Sequence, residues 1–151
     1  MFQRILVAVD LVEEGNSRKA LATATELARH FGAALQVIYV RHVMDLAVDY
    51  LPPDVVEREE RDAIARLKAM TSGIGIADDR LSFAAPLGNI AEGVLSAADD
   101  FGADLIVVGA HRPSMAKFLL GSNATKVTRH AKASVLIVRE DGRAAGAEEL
   151  T

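Results

Sequence analysis

Five short, nearly continuous apolar runs alternate along this chain with stretches of helical periodicity, and that alternation restricts the fold more than any other feature. The runs are residues 4–10 (RILVAVD), 33–40 (AALQVIYV), 80–85 (RLSFAA), 104–108 (DLIVV) and 135–138 (VLIV). Apolar runs of this length, without polar alternation, suit strands covered on both faces. Between them, Ala20, Ala24, Leu27, Ala28 and Phe31 share one helical face, with His30 near the helix end and Gly32 as its stop. Gly15-Asn16-Ser17 before that helix reads as a turn and N-cap. Residues 54–72 alternate in charge at i,i+4 spacing (Glu57/Arg61, Arg58/Asp62, Asp62/Arg66) and keep a narrow stripe of Ile64, Leu67 and Thr71. That is a solvated helix, ended by Gly73 and Gly75. Ile90, Val94, Ala98 and Phe101 share a face of a third helix, and Ala124, Val127 and Ala131 point inward from a fourth over 122–132.

Strict alternation of strand and helix means an α/β fold: a three-layer, open, doubly wound sheet. With right-handed crossovers, five parallel strands take the order 3-2-1-4-5. The order reverses between strands one and four, and ligands of such sheets bind beyond the carboxyl ends of the strands at that reversal. Asp10 ends one of these strands and Gly109 follows the other, so two residues far apart in sequence converge on one crevice. A loop of residues 110–120 leads from Gly109 to Gly121-Ser122, which opens the last helix. Helix-opening N–H groups lack internal partners and carry partial positive charge, and glycine lets a phosphate approach without a Cβ in the way. The pattern points to a nucleotide.

Composition agrees with one domain and removes several chemistries. The chain has 151 residues, half of them apolar, and aromatic residues make up only 5%, so the core is built from Ala, Val, Ile and Leu. A net charge of −4 argues against a nucleic-acid backbone or an anionic membrane as the main partner. No cysteine is present, which removes disulfides, thiolate catalysis and Cys-based zinc sites. No signal-peptide layout and no apolar stretch of membrane-spanning length are seen, so the expected location is cytoplasmic. Residues 1–139 are expected to form the single domain and 140–151, rich in Ala, Gly and Glu, a flexible C-terminal tail.

Asp10 has two readings: an acceptor for ribose hydroxyls or an adenine amino group, or a cap of the following loop. A phosphoryl-accepting receiver domain is excluded, because Ala85-Pro86 and Arg139-Glu140 stand where its acceptor Asp and its Lys belong. Neither a Walker A loop nor a GxGxxG after the first strand occurs. His30, His42, His111 and His130 lack the paired spacing of a metal site, so no metal ligand is expected. His111 lies in the proposed phosphate loop, while His30 and His130 suit helix C-termini. Ser122 has no evident activating base, and no catalytic residue is assigned.

The opening ILVAVD, GADLIVVGAH at 102–111 and LLGSNATKVTRHAKASVLIVR at 119–139 resemble the universal stress protein family, over nearly the whole of residues 2–139. The resemblance implies an adenine nucleotide alpha hydrolase-like (Rossmann-like) fold. The family's ATP-binding members carry Gly-x-x-Gly, nine residues, then Gly-Ser/Thr. Here Gly109 and Gly121-Ser122 are kept, but Arg112 replaces the second glycine, Pro113 follows, and eight residues separate Arg112 from Gly121. HRPS at 111–114 and LLGSNA at 119–124 are similar to the F/G-type subgroup. Position by position, the resemblance implies adenine and ribose contacts from Ala8, Val9, Asp10 and the backbone near Val40, whose alternative role is core packing. It implies phosphate contacts from Val108, Gly109, His111, Arg112, Gly121, Ser122 and Asn123. Arg112 either brings a guanidinium to the phosphates in place of the missing glycine or is a surface arginine. Ala8 departs from a common proline, and Leu11-Val12 from a common Gly-Ser.

The fifth strand lies at a sheet edge in this order, and an open apolar edge needs a cover. The resemblance implies a homodimer through Val135, Leu136, Ile137 and Val138; the alternative cover is the tail at 140–151. Three functions remain: an ATP-binding regulatory module with an unknown protein partner, a slow ATPase or self-phosphorylating protein with Ser122 as acceptor, and a ligand-free structural dimer. The first is favoured, with ATP as the cofactor and any Mg²⁺ carried on the triphosphate.

Overall fold

A computed structural model describes residues 1–11, 15, 17–41, 50–110 and 121–139. Strands β1 (Arg4–Ala8), β2 (Ala34–Ile38), β3 (Leu81–Ala84), β4 (Leu105–Gly109) and β5 (Ser134–Val138) alternate with helices α1 (Arg18–Phe31), α2 (Pro53–Met70), α3 (Ile90–Phe101) and α4 (Ser122–His130). All strand pairs are parallel and the sheet order is β3-β2-β1-β4-β5. The expected α/β topology and strand order are therefore observed.

Each strand feeds two cores, because successive side chains point to opposite faces. Ile5 and Val7 of β1, Leu35 and Val37 of β2, and Leu105 and Val107 of β4 face α1 and α2. Leu6, Ile38, Ile106 and Val108 face α3 and α4. The helices meet the sheet largely through alanine: Ala20, Ala24 and Ala28 from α1, Ala91 and Ala98 from α3, and Ala124 from α4 are all buried. Small contact residues let helices sit close to the sheet without aromatic filler. α1 and α3 stop at Gly32 (φ 64°) and Gly102 (φ 72°), left-handed positions that cost an L side chain strain.

Element ends differ from the sequence expectation in ways that have local causes. The second helix ends at Met70 rather than residue 72: Thr71 leaves helical geometry at φ −101° and ψ 8°, and its hydroxyl donates to the Leu67 and Lys68 carbonyls. Arg80 belongs to a 3-10 turn (Asp78–Arg80) that precedes β3. The fourth helix ends at His130, and Ala131 is already extended at ψ 141°. At the amino end of the sheet, the Asp104 carboxylate accepts the amides of Gln3 at 2.8 Å and Arg4 at 3.0 Å, tying the start of β1 to β4. Arg4 also lies over the Phe101 ring, 4.2 Å from its centroid. No helix among the described residues is long and apolar enough to cross a membrane. The expected tail at 140–151 lies outside the described residues.

Candidate functional site

The carboxyl ends of β1 and β4 are neighbours at the centre of the sheet. Their register pairs Val7 with Val107, and continuing it brings Asp10 level with Ala110. β1 itself ends at Ala8, but the chain stays pinned: the Val9 amide donates to Ile38 at 2.9 Å. On the other side, the Ala110 amide donates to Val138 at 2.9 Å and the Ala110 carbonyl accepts the Gly121 amide at 3.0 Å. That last bond seats the start of α4 directly against the end of β4. Asp10, Gly109 and Gly121-Ser122-Asn123 are thus brought to one rim by these pairings.

Backbone conformation does not demand glycine at 121. Its φ and ψ are −60° and 153°, open to any residue, and the nearest neighbour of an added Cβ would be the Ala110 carbonyl at 3.8 Å. Ser122 is exposed and Asn123 half-buried, while Ala124 and Val127 anchor the same helix in the core. The first turn thus leaves the Ser122 side chain at the surface while Ala124 holds the same turn to the core.

The four helix starts at this rim differ in charge. α1 and α4, which follow β1 and β4, have no acidic residue in the first turn; the Ser17 side chain does not cap α1, and the N-cap of α4 is Gly121. α2 carries Asp54 in its first turn, and α3 carries Glu92 together with an Asn89 side-chain cap at 3.2 Å. Acidic groups offset the positive end of the helix dipole. They are placed on the two outer helices and withheld from the two flanking the central crevice. α1 adds Arg18 and Lys19 to its first turn, and Lys19 Nζ donates to the Arg139 carbonyl at 2.8 Å.

Val40 closes the crevice on the β2 side and is buried against α3. A Cβ on Gly93 would lie 2.8 Å from Val40 Cγ2, so Gly93 is the space into which Val40 packs. The Val40 side chain therefore belongs to the core. Its neighbour Arg41 is buried; Nε donates to Ala85 at 2.7 Å and Nη1 to Val56 at 3.1 Å, with Glu60 3.8 Å from Nη2. That guanidinium joins the end of β2 to α2 and to the turn before α3, a role that its place in the sequence did not signal.

Ser17 corrects an expectation. It stands at the N-cap position of α1, yet its side chain makes no cap hydrogen bond. Its hydroxyl oxygen instead accepts the Asp10 amide at 2.6 Å, and the residue is only 5% exposed. Arg66, read from sequence as part of a solvated face, donates from Nη2 to the Leu11 carbonyl at 2.7 Å. Ala8 is half-buried and Val9 and Val108 are buried at the same rim. His111 and Arg112, and with them the path of the shortened loop, lie outside the described residues.

Comparison with known proteins agrees with this architecture. Residues 1–139 match the universal stress protein family. The chain is 36% identical over 146 residues to universal stress protein G of Shigella flexneri, covering 92% of this chain and 100% of that protein. Among solved structures it resembles the universal stress protein UspA from Lactobacillus plantarum, with a TM-score of 0.72 and 23% identity over 91% of this chain and 97% of that one. It also resembles a universal stress protein solved in complex with cAMP, with a TM-score of 0.67 and 23% identity over 91% and 97%. The sheet order, the crevice between β1 and β4 and the match across residues 1–139 lead to one assignment: the chain belongs to the universal stress protein family.

Proposed function

We propose that this protein binds ATP in the crevice beyond β1 and β4 and acts as a nucleotide-dependent stress-response module in the cytoplasm. The observation that carries this reading is the distribution of charge at the rim: the helix starts beside the crevice lack acidic residues, and those outside it have them. A polyphosphate placed there gains from two helix dipoles and the backbone amides that open α4. The glycine at 121, required by neither φ nor the described neighbours, leaves room for a phosphate oxygen. Asp10 takes the ribose hydroxyls or the adenine amino group, with Ala8, Val9 and the backbone near Val40 around the base. Val108, Gly109, His111, Arg112, Gly121, Ser122 and Asn123 surround the phosphates. Mg²⁺ rides on the triphosphate. That a fold relative was solved with cAMP supports an adenine nucleotide in this crevice. Two copies pair through β5, whose outer edge has no strand beside it among the described residues.

Mass spectrometry of nucleotide released from freshly purified protein, together with titration calorimetry, tests the reading. ATP or ADP near one equivalent, or micromolar binding of added ATP, is the expected outcome. An empty protein that ignores added ATP overturns it. A second reading, slow self-phosphorylation, is favoured by the exposed Ser122 hydroxyl at the rim. Phosphate incorporation that vanishes in Ser122→Ala would select it.

A further inference from the structure

Asp10 sits where the β-ladder has ended, yet three consecutive backbone positions there are held by three different elements. The Val9 amide donates to Ile38 beside β1, the Asp10 amide donates to Ser17 Oγ at the start of α1, and the Leu11 carbonyl accepts Arg66 Nη2 from α2. Backbone held before, at and just after Asp10 narrows the positions that its carboxylate can reach.

The Ser17 bond is also costly in local terms. A serine at an N-cap ordinarily satisfies one of the orphan amides of its own helix, and losing such a cap costs about 1 kcal/mol. Here the residue occupies the cap position, but its hydroxyl serves a residue seven positions earlier. A local preference set aside at the rim of a crevice marks a functional demand. The hydroxyl is buried, so water does not readily replace it as acceptor.

We propose that Ser17, assisted by Arg66, is a positioning residue for nucleotide binding: it brackets the Asp10 peptide so that the carboxylate meets the nucleoside without an ordering cost. The proposal rests on the ATP reading above. Pre-organised groups bind more tightly because the freedom lost on binding has already been surrendered. Ser17 itself does not touch the nucleotide; it acts through Asp10.

The test is a double-mutant cycle read by ATP affinity, with thermal melting of the nucleotide-free proteins alongside. Ser17→Ala weakens ATP about tenfold and Arg66→Met about threefold in an otherwise native chain. In an Asp10→Ala background neither change weakens ATP further. Affinity unchanged in Ser17→Ala, or the same loss persisting without Asp10, overturns the bracket, because a merely structural staple would act whether or not Asp10 is present. Should Ser17→Ala fail to fold, Arg66→Met carries the same cycle from an exposed position. A native protein that binds no adenine nucleotide overturns the functional reading itself, and that result is seen before any variant is made.

Discussion

Val40 and Gly93 share one volume: a single carbon added to Gly93 would sit 2.8 Å from Val40 Cγ2. This contact couples the chain just after β2, beside the candidate site, to the first turn of α3. Gly93→Ala gains about 1 kcal/mol of helix propensity and loses more than that to overpacking, giving a net destabilisation of about 1–2 kcal/mol. Urea unfolding checks the figure. Val40→Ala in the same chain restores most of the loss, because it vacates the shared space; losses that simply add would refute the coupling.

Asp10→Ala is expected to weaken ATP about 10- to 100-fold, the range for one hydrogen-bonding charged group. Calorimetry at fixed ionic strength measures it. Equal affinity in variant and native protein would return Asp10 to its other reading, a loop cap.

Ser122→Asp separates stability from binding by sign. An acid in the first turn of α4 stabilises the nucleotide-free helix by about 0.3–1 kcal/mol. The same charge repels a phosphate, so ATP affinity falls while the melting temperature without nucleotide rises. Affinity that stays level or increases would remove α4 from the phosphate site.

Asp104→Ala acts at the opposite end of the sheet. Removing the acceptor of the Gln3 and Arg4 amides costs about 1–3 kcal/mol of folding stability. Its ATP affinity, measured below the melting transition, is expected to match that of the native protein.

Ile137→Pro probes the proposed dimer. Val138 accepts from Ala110 and Ser134 donates to Asp104, so the backbone groups of Val135 and Ile137 face away from β4. A proline there removes an outward amide and leaves the β4 ladder intact. Light scattering should report a monomer of native secondary structure; a persisting dimer would place the interface elsewhere.

Most of the fold was legible in the chain because its signals are local. Apolar runs such as 104–108 and the spacing of Ala20, Ala24 and Ala28 declare strand and helix over a few residues. The strand order then follows from crossover handedness. What escaped sequence reading depends on distance. Arg66 reaches Leu11 across 55 positions and Arg41 reaches Ala85 across 44, and nothing in a charged helix face or a strand end announces such partners. Ser17 was read by position as a cap, and only geometry reveals that its hydroxyl turns the other way. Asp10 and Gly121-Ser122 were legible as a pair because topology alone brings the ends of strands one and four together.

Asp104 anchors β1 at one extremity, while Asp10 lies two residues beyond the other. Damage to the first undermines the scaffold; on the proposed reading, damage to the second empties the crevice of ATP. On that reading, failure to fold and failure to hold a ligand are separable fates for this chain, and a descendant could change what the proposed crevice accepts at one rim while the opposite rim kept the molecule intact.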